Sequence, residues 1–195
     1  MDRWVGKVAV ITGAGSGIGS AVAVDLAKAG VIAIGLDRCP ERVKKLISKV
    51  PPTETGTLHA LECDISKEED VRKTFALIET QFGGIDIMIN NAGILRPTTL
   101  LSKDNSEPIR KTIDTNLLGM VWCTREAFQS MKKREVDGHI ILINSITGHN
   151  VPPAGPMPSL NIYPCTKFAV TALTEVLRQE LQTEGTTKTK ITVWF

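Results

Sequence analysis

Short apolar segments alternate with longer amphipathic segments along the whole sequence, and few folds accommodate that order. The apolar segments, most of them rich in β-branched residues, predict buried strands: Lys7–Ile11, Val31–Leu36, Thr57–Leu61, Ile85–Ile89, His139–Asn144 and Lys190–Phe195. The amphipathic segments between them predict helices: Gly17–Ala29, Arg42–Lys49, Lys67–Gln81, Asn105–Lys133 and Ile162–Thr183. Alternation of this kind is typical of right-handed βαβ units. We therefore expect an α/β fold, a doubly wound parallel sheet of six strands with helices on both faces.

The composition agrees with one water-soluble domain spanning residues 1–195. Hydrophobic residues make up 42% of the chain and charged residues 23%, which is ordinary for globular proteins. The net charge of +2 is too small to favour nucleic acid as a partner. The N-terminus lacks a long apolar run, so we expect neither a signal peptide nor a membrane span. We therefore expect a cytoplasmic protein.

The four cysteines are scattered without the close pairs that metal sites use. Cys39, Cys63, Cys123 and Cys165 form no CxxC pattern and no Cys/His ligand spacing. This favours reduced thiols over a disulfide or a metal site.

A glycine-rich segment follows the first predicted strand and opens the first predicted helix. Gly13, Gly17 and Gly19 give the spacing G-x-x-x-G-x-G within "TGAGSGIG". Such a turn lets the backbone approach a pyrophosphate, and the helix start supplies free N–H donors. A tight turn alone would have the same pattern, but the strand before it and the helix after it favour a dinucleotide site.

An acidic and a basic residue end the second predicted strand. Asp37, 18 positions after Gly19, is suited to accept hydrogen bonds from an adenosine ribose. Its carboxylate should repel the 2′-phosphate of NADP, whereas the guanidinium of Arg38 would attract it. Asp37 thus argues for NAD and Arg38 for NADP, and both cofactors remain open.

Six motifs in this order on a βαβ series resemble the short-chain dehydrogenase/reductase family. They are "TGAGSGIG" (Thr12–Gly19), "CDIS" with Asp64, "NNAG" (Asn90–Gly93), "NLLG" with Asn116, "INSITG" with Ser145, and "YPCTK" with Tyr163 and Lys167. The resemblance implies a Rossmann domain with a cofactor-binding set: Gly13, Ser16, Gly17, Ile18, Gly19, Asp37, Arg38, Asp64, Ile65, Asn91, Ala92, Gly93, Tyr163 and Lys167. It implies a catalytic set of Asn116, Ser145, Tyr163 and Lys167.

The same resemblance implies how the catalytic set would act in alcohol oxidation or carbonyl reduction. Tyr163 would exchange a proton with the substrate oxygen, and the Lys167 ammonium, one helical turn away, would favour the phenolate. Lys167 would also bind the nicotinamide ribose. Ser145 would hold the substrate oxygen, and Asn116 would hold a water that relays protons. Taken singly, Ser145 reads as a turn residue and Asn116 as a helix residue; the motif order favours the catalytic interpretation.

Wider stretches resemble a farnesol dehydrogenase-like (dehydrogenase/reductase member 11 type) subgroup, which implies apolar alcohols or ketones, such as isoprenoids or steroids, as substrates. The subgroup favours NADP over NAD and implies a homo-oligomer formed through the two long helices. The Pro/Gly-rich segment Val151–Asn161 is expected to form a pocket wall. Since the sequence stops at "KITVWF", we expect a truncated form lacking the family's last strand and substrate lid. A non-catalytic dinucleotide-binding or hetero-associating form is the alternative.

Overall fold

The computed structural model describes residues 1–52, 55–153, 160–185 and 188–195. Its strands are Val8–Thr12 (β1), Ile32–Asp37 (β2), Thr57–Glu62 (β3), Ile87–Asn90 (β4), Gly138–Ile143 (β5) and Thr189–Trp194 (β6). Its α-helices are Gly17–Lys28 (α1), Pro40–Ile47 (α2), Glu68–Phe82 (α3), Ser106–Ile113 (α4), Gly119–Arg134 (α5) and Tyr163–Thr183 (α6). Short 3₁₀ turns span Asp2–Trp4 and Ile146–Gly148.

The strands form one parallel sheet in the order β3-β2-β1-β4-β5-β6. The chain adds strands outward from β1 to one edge and then returns to build the other half from β4. In such sheets a crevice opens beyond the carboxyl ends of the two central strands. The predicted α/β fold with a six-stranded, doubly wound sheet is confirmed, and β1 and β4 are the strands that flank this crevice.

Apolar side chains pack on both faces of the sheet. Along β1 they alternate, so that Val10 faces the cluster containing Met120 of α5, and Ile11 faces the cluster containing Ala23 of α1. All four side chains are almost completely buried. Because successive strand residues point to opposite faces, a strand covered on both sides must be apolar throughout. This explains why the buried strands were readable as continuous apolar runs.

The long helix predicted over Asn105–Lys133 is interrupted. A π-helical turn, Asp114–Leu118, lies between α4 and α5. Such a turn inserts one residue into the helical repeat, and turns of this kind recur at functional sites. The apolar periodicity of the sequence does not reveal it, because Ile113 and Met120 are seven residues apart, the spacing of two turns of an uninterrupted α-helix.

The predicted pocket wall between β5 and α6 lies largely outside the described residues, which omit 154–159. At its end, the buried Asn161 donates from Nδ2 to the carbonyl oxygen of Arg96 at 3.3 Å.

None of the helices in the described ranges has both the length and the apolar character needed to cross a membrane.

Candidate active site

The glycine-rich turn packs directly against the segment that follows β4. Gly13 has a φ of +66°, and a Cβ added there would lie 2.9 Å from Cα of Ala92. A Cβ on Gly19 would lie 2.4 Å from Nδ2 of Asn91 and 2.5 Å from the oxygen of Gly13. Contacts this short leave no room for a side chain. The two glycines therefore keep the start of α1, with its free N–H groups, at the mouth of the crevice.

Thr12 and Asn91 join the ends of the two central strands. The hydroxyl oxygen of Thr12 accepts the backbone N–H groups of Asn91 and Ala92, each at 3.0 Å. The side-chain amide of Asn91 donates back to the carbonyl oxygen of Thr12 at 2.9 Å. These bonds link residues 79 and 80 positions apart and fix the glycine-rich turn relative to β4.

Asp37 is bound by the backbone on both carboxylate oxygens. Oδ2 accepts the N–H of Gly15 at 3.0 Å, and Oδ1 accepts the N–H of Cys39 at 2.9 Å. A Cβ on Gly15 would lie 2.6 Å from Oδ2, so this contact requires glycine. Asp37 thus ends β2 and holds the far side of the glycine-rich turn. Its contact with a ribose stays a prediction.

A cavity of about 360 Å³ lies beside this turn. Its lining includes ten of the predicted cofactor residues: Gly13, Ser16, Ile18, Asp37, Arg38, Asp64, Ile65, Asn91, Ala92 and Gly93. The bare glycine backbone in the lining fits a dinucleotide, because a phosphate group needs close access to backbone N–H donors. The lining also contains residues that sequence reasoning missed: Leu36, Arg42, Cys63, Ile94 and Thr115. For Arg42, the only available signal was its place in the first turns of the helix that follows β2.

Asp64 lies in the connection after β3 and is hydrogen-bonded to its near neighbour Ser66. Its Oδ1 accepts the N–H of Ser66 at 3.2 Å and the hydroxyl of Ser66 at 2.6 Å. The next residue, Ile65, is buried against Gly119 at the start of α5. Both residues line the cavity near the end of β3, and their contact with a cofactor stays a prediction.

Asn116 lies in the π-helical turn and is completely buried. Its Oδ1 accepts the N–H of Ile94 at 2.8 Å, and its Nδ2 donates to the oxygen of Ile94 at 2.9 Å and to Oγ1 of Thr166 at 3.2 Å. The side chain therefore ties the segment after β4 to α6. The implied water-holding role of Asn116 stays a prediction.

Ser145 caps the short turn Ile146–Gly148 beyond β5. Its Oγ accepts the N–H of Thr147 at 3.2 Å and lies 3.0 Å from the hydroxyl of Thr147. The side chain is half-buried. A hydroxyl so placed is oriented by the turn and remains beside the crevice.

Tyr163 and Lys167 lie one turn apart at the start of α6. Lys167 is buried, with 4% of its surface exposed, and its Nζ donates to the oxygen of Ile143 at 2.9 Å. Nζ lies 5.7 Å from the centroid of the Tyr163 ring. Burial lowers the pKa of Lys167 to about 8. The amine thus lies between the tyrosine ring and the end of β5, where Ile143 comes two residues before Ser145. The catalytic roles of Ser145, Tyr163 and Lys167 stay a prediction.

The four cysteines differ in burial. Cys39 and Cys165 are exposed, Cys63 and Cys123 are buried, and all four are free. Burial raises the pKa of Cys63 to about 11. Over the described ranges, no group of three or more His, Cys, Asp or Glu side chains is arranged to hold a metal ion.

Comparison with known proteins gives consistent relatives. A family model described as short chain dehydrogenase matches residues 7–193. Farnesol dehydrogenase of Aedes aegypti is 54% identical over 185 residues, covering 95% of this chain and 74% of the relative. Dehydrogenase/reductase SDR family member 11 of Gallus gallus is 47% identical over 184 residues, covering 93% and 71%. A crystal structure of a metagenomic short-chain oxidoreductase in complex with NADP has a similar fold, with a TM-score of 0.85 and 24% identity over 97% of this chain and 81% of that one.

Proposed function

The chain belongs to the short-chain dehydrogenase family and is an NAD(P)-dependent oxidoreductase, and from this premise we propose that it transfers a hydride between NADP and an apolar alcohol or ketone. The observation that carries the proposal is the buried Lys167 amine, bound to the end of β5 and lying against the Tyr163 ring. The substrate class is supported by the similarity to the mosquito farnesol dehydrogenase.

Tyr163 is assigned the proton transfer. In the oxidation direction its phenolate accepts the proton of the substrate hydroxyl, while Ser145 donates a hydrogen bond that holds the substrate oxygen. The nicotinamide, when bound, supplies the hydride acceptor or donor. Lys167, with its pKa of about 8, stays largely protonated at neutral pH, and its positive charge lies one helical turn from the Tyr163 ring. Asn116 keeps α6 at a fixed distance from the segment after β4.

The Tyr163→Phe variant tests this assignment. Phenylalanine keeps the ring and removes the group that exchanges the proton, so turnover of farnesol should fall at least about a thousandfold. The dissociation constant for NADPH should change little, because the variant keeps the ring and leaves the lining of the cavity beside the glycine-rich turn untouched. Cofactor reduction is followed at the absorbance band of the reduced nicotinamide.

Cys165→Ser is the matched control, because Cys165 is exposed on the same helical turn. Its turnover should equal that of the unmodified chain. Retained turnover in Tyr163→Phe would rule out the mechanism. Failure of the unmodified chain to oxidise farnesol, longer isoprenoid alcohols and steroid alcohols would rule out the substrate class.

The preference for NADP rests on the two arginines in the cavity lining. Asp37 directs both oxygens to backbone N–H groups, whereas Arg38 and Arg42 are exposed and, within the described residues, take part in no ion pair. A carboxylate already hydrogen-bonded repels a nearby phosphate less than a bare one does, and two guanidinium groups offer charge-assisted donors to it. This arrangement favours the 2′-phosphate of NADP.

Arg42→Ala tests the preference. Loss of one charge-assisted contact should weaken NADPH binding about tenfold and leave NADH binding within about twofold. The two dissociation constants are measured by fluorescence titration. Lys44→Ala removes the same charge from the same helix, where Lys44 pairs with the exposed Glu41, and should change neither constant. Equal losses for both cofactors in Arg42→Ala would contradict a 2′-phosphate contact.

We also propose that the chain forms a homo-oligomer through α5 and α6. A groove of about 380 Å³ between α5 and α6 has apolar walls that include Phe128, Leu177 and Leu181. Light scattering of the purified chain tests the point, and a monomeric mass at micromolar concentration would contradict it.

A further inference from the structure

Three side chains at intervals of four residues line one face of α6. They are Tyr163, Lys167 and Thr171, and residues at this spacing stack one above the other along a helix. Tyr163 and Lys167 already have roles in the proposed reaction. Thr171, one turn further, has no role so far, and the sequence motifs did not single it out.

The segment from the end of β5 to Gly148 is held along this face. Lys167 donates to the oxygen of Ile143 at 2.9 Å. Thr171 donates from its hydroxyl to the oxygen of Gly148 at 3.0 Å. Ser145 lies between these two carbonyl groups, so both sides of it are fixed to the same helix.

Asn144 completes this attachment from within the segment. It is 7% exposed, and its Nδ2 donates to the Thr171 hydroxyl at 3.0 Å. A Cβ on Gly148 would lie 2.7 Å from this Nδ2 and 2.9 Å from the oxygen of Lys167. The turn therefore lies tightly on both the Asn144 amide and the backbone of α6. The Thr171 hydroxyl accepts from one end of the turn and donates to the other.

We propose that Thr171 and Asn144 are positioning residues that fix the Ser145 turn on α6 and so set Ser145 relative to Tyr163. Neither side chain touches substrate or cofactor in this scheme. The inference rests on the proposed function, since it assigns to Ser145 the substrate oxygen. The hydroxyl of Ser145 is oriented within its own turn by Thr147, so the position of the whole turn decides where that hydroxyl points.

Thr171→Val is the informative variant, because valine keeps the shape of threonine and removes the hydroxyl. The bonds to Asn144 and Gly148 are lost with it, as is the longer contact of 3.4 Å with the carbonyl oxygen of Lys167. With farnesol and NADP as probes, kcat should fall about tenfold, while the KM for farnesol and the dissociation constant for NADPH change less than about twofold. Thr171→Ser restores the hydroxyl and should recover kcat to within about twofold.

Thr174→Val is the matched control. Thr174 is buried on the same helix, but its hydroxyl donates to the oxygen of Val170, within the helix, and to no other group among the described residues. Its kcat should remain that of the unmodified chain. An equal loss of kcat in Thr174→Val and Thr171→Val would assign the effect to general loosening of α6 and overturn the proposal.

The combination with Ser145→Ala separates positioning from stability. If Thr171 acts through Ser145, then Thr171→Val should lower kcat by less than about twofold when Ser145 is already alanine. If the fold-loss of kcat in the double variant equals the product of the two single losses, Thr171 acts independently of Ser145, and the proposal is wrong.

Amide hydrogen exchange of the peptide covering residues 144–150 tests the attachment without any catalytic assay. Loss of the Thr171 bonds should make this peptide exchange about fivefold faster in Thr171→Val, with no change in Thr174→Val. Unchanged exchange would overturn the proposed attachment. If the unmodified chain oxidises no alcohol, the proposed function fails, and the exchange result still decides whether Thr171 and Asn144 hold the turn.

Discussion

Burial of the Lys167 amine lowers the stability of the folded chain, and the role of this amine in the proposed reaction is a reason to keep it buried. The ordinary pKa of 10.5 falls to about 8 because the ammonium is removed from water. Below pH 8 the lysine is protonated in both the folded and unfolded chain, so the folded state bears the full cost. Between pH 8 and 10.5 the folded chain loses this proton first, and the cost disappears as pH rises.

This titration predicts a pH-dependent difference between the unmodified chain and Lys167→Met. The free energy of unfolding of the unmodified chain, relative to that of the variant, should rise by up to about 3 kcal/mol between pH 8 and 10.5. Urea unfolding of both proteins over this range measures it, and groups common to both cancel. Lys28→Met, at an exposed position, should show no such rise. A flat difference for Lys167→Met would mean that its ammonium is not desolvated.

At the scale of secondary-structure elements, the junction between the π-helical turn and α5 determines how closely that helix approaches the cavity. Gly119 begins α5, and a Cβ there would lie 2.6 Å from the oxygen of Ile65 and 2.8 Å from its side chain. A carbonyl oxygen in a buried connection cannot move aside as a flexible side chain can. The helix and the connection after β3 are therefore in direct contact only because residue 119 is glycine.

Gly119→Ala should accordingly destabilise the protein, although alanine is the better helix former by about 1 kcal/mol. Overpacking against the Ile65 carbonyl should lower the free energy of unfolding by about 1–3 kcal/mol. Displacement of Ile65 should also weaken NADPH binding. Chemical unfolding and fluorescence titration measure the two effects. Gln129→Ala, at an exposed position of the same helix, is the control for introducing alanine away from the Ile65 contact. A more stable Gly119→Ala variant would show that the contact relaxes freely.

At the scale of the whole molecule, the order of the elements was predictable because it depends on local patterns. Apolar runs such as the one around Val10 must be buried on both faces, and the glycine spacing from Gly13 to Gly19 is itself a local geometric requirement. The motifs then supplied the positions of Ser145, Tyr163 and Lys167. All of these signals are contained within a few neighbouring residues.

The features that escaped prediction depend on pairs of residues far apart in the sequence. The π-helical turn has its buried Asn116 bound to Ile94, 22 positions away, and the Thr171 hydroxyl bridges a turn that begins 26 positions earlier, at Ser145. Likewise, the bond from Gly15 to Asp37 requires the first two strands to be adjacent already. Local periodicity contains no information about such pairs until the sheet order is known.

The two attachments of the glycine-rich turn have a consequence for how quickly a cofactor can enter. Asn91 holds the start of the turn and Asp37 holds its middle, in both cases through bonds within the protein. The turn has therefore lost its conformational freedom during folding, before any dinucleotide arrives. Association then resembles docking onto a finished surface, with little ordering entropy left to oppose it and an encounter rate governed chiefly by diffusion and orientation.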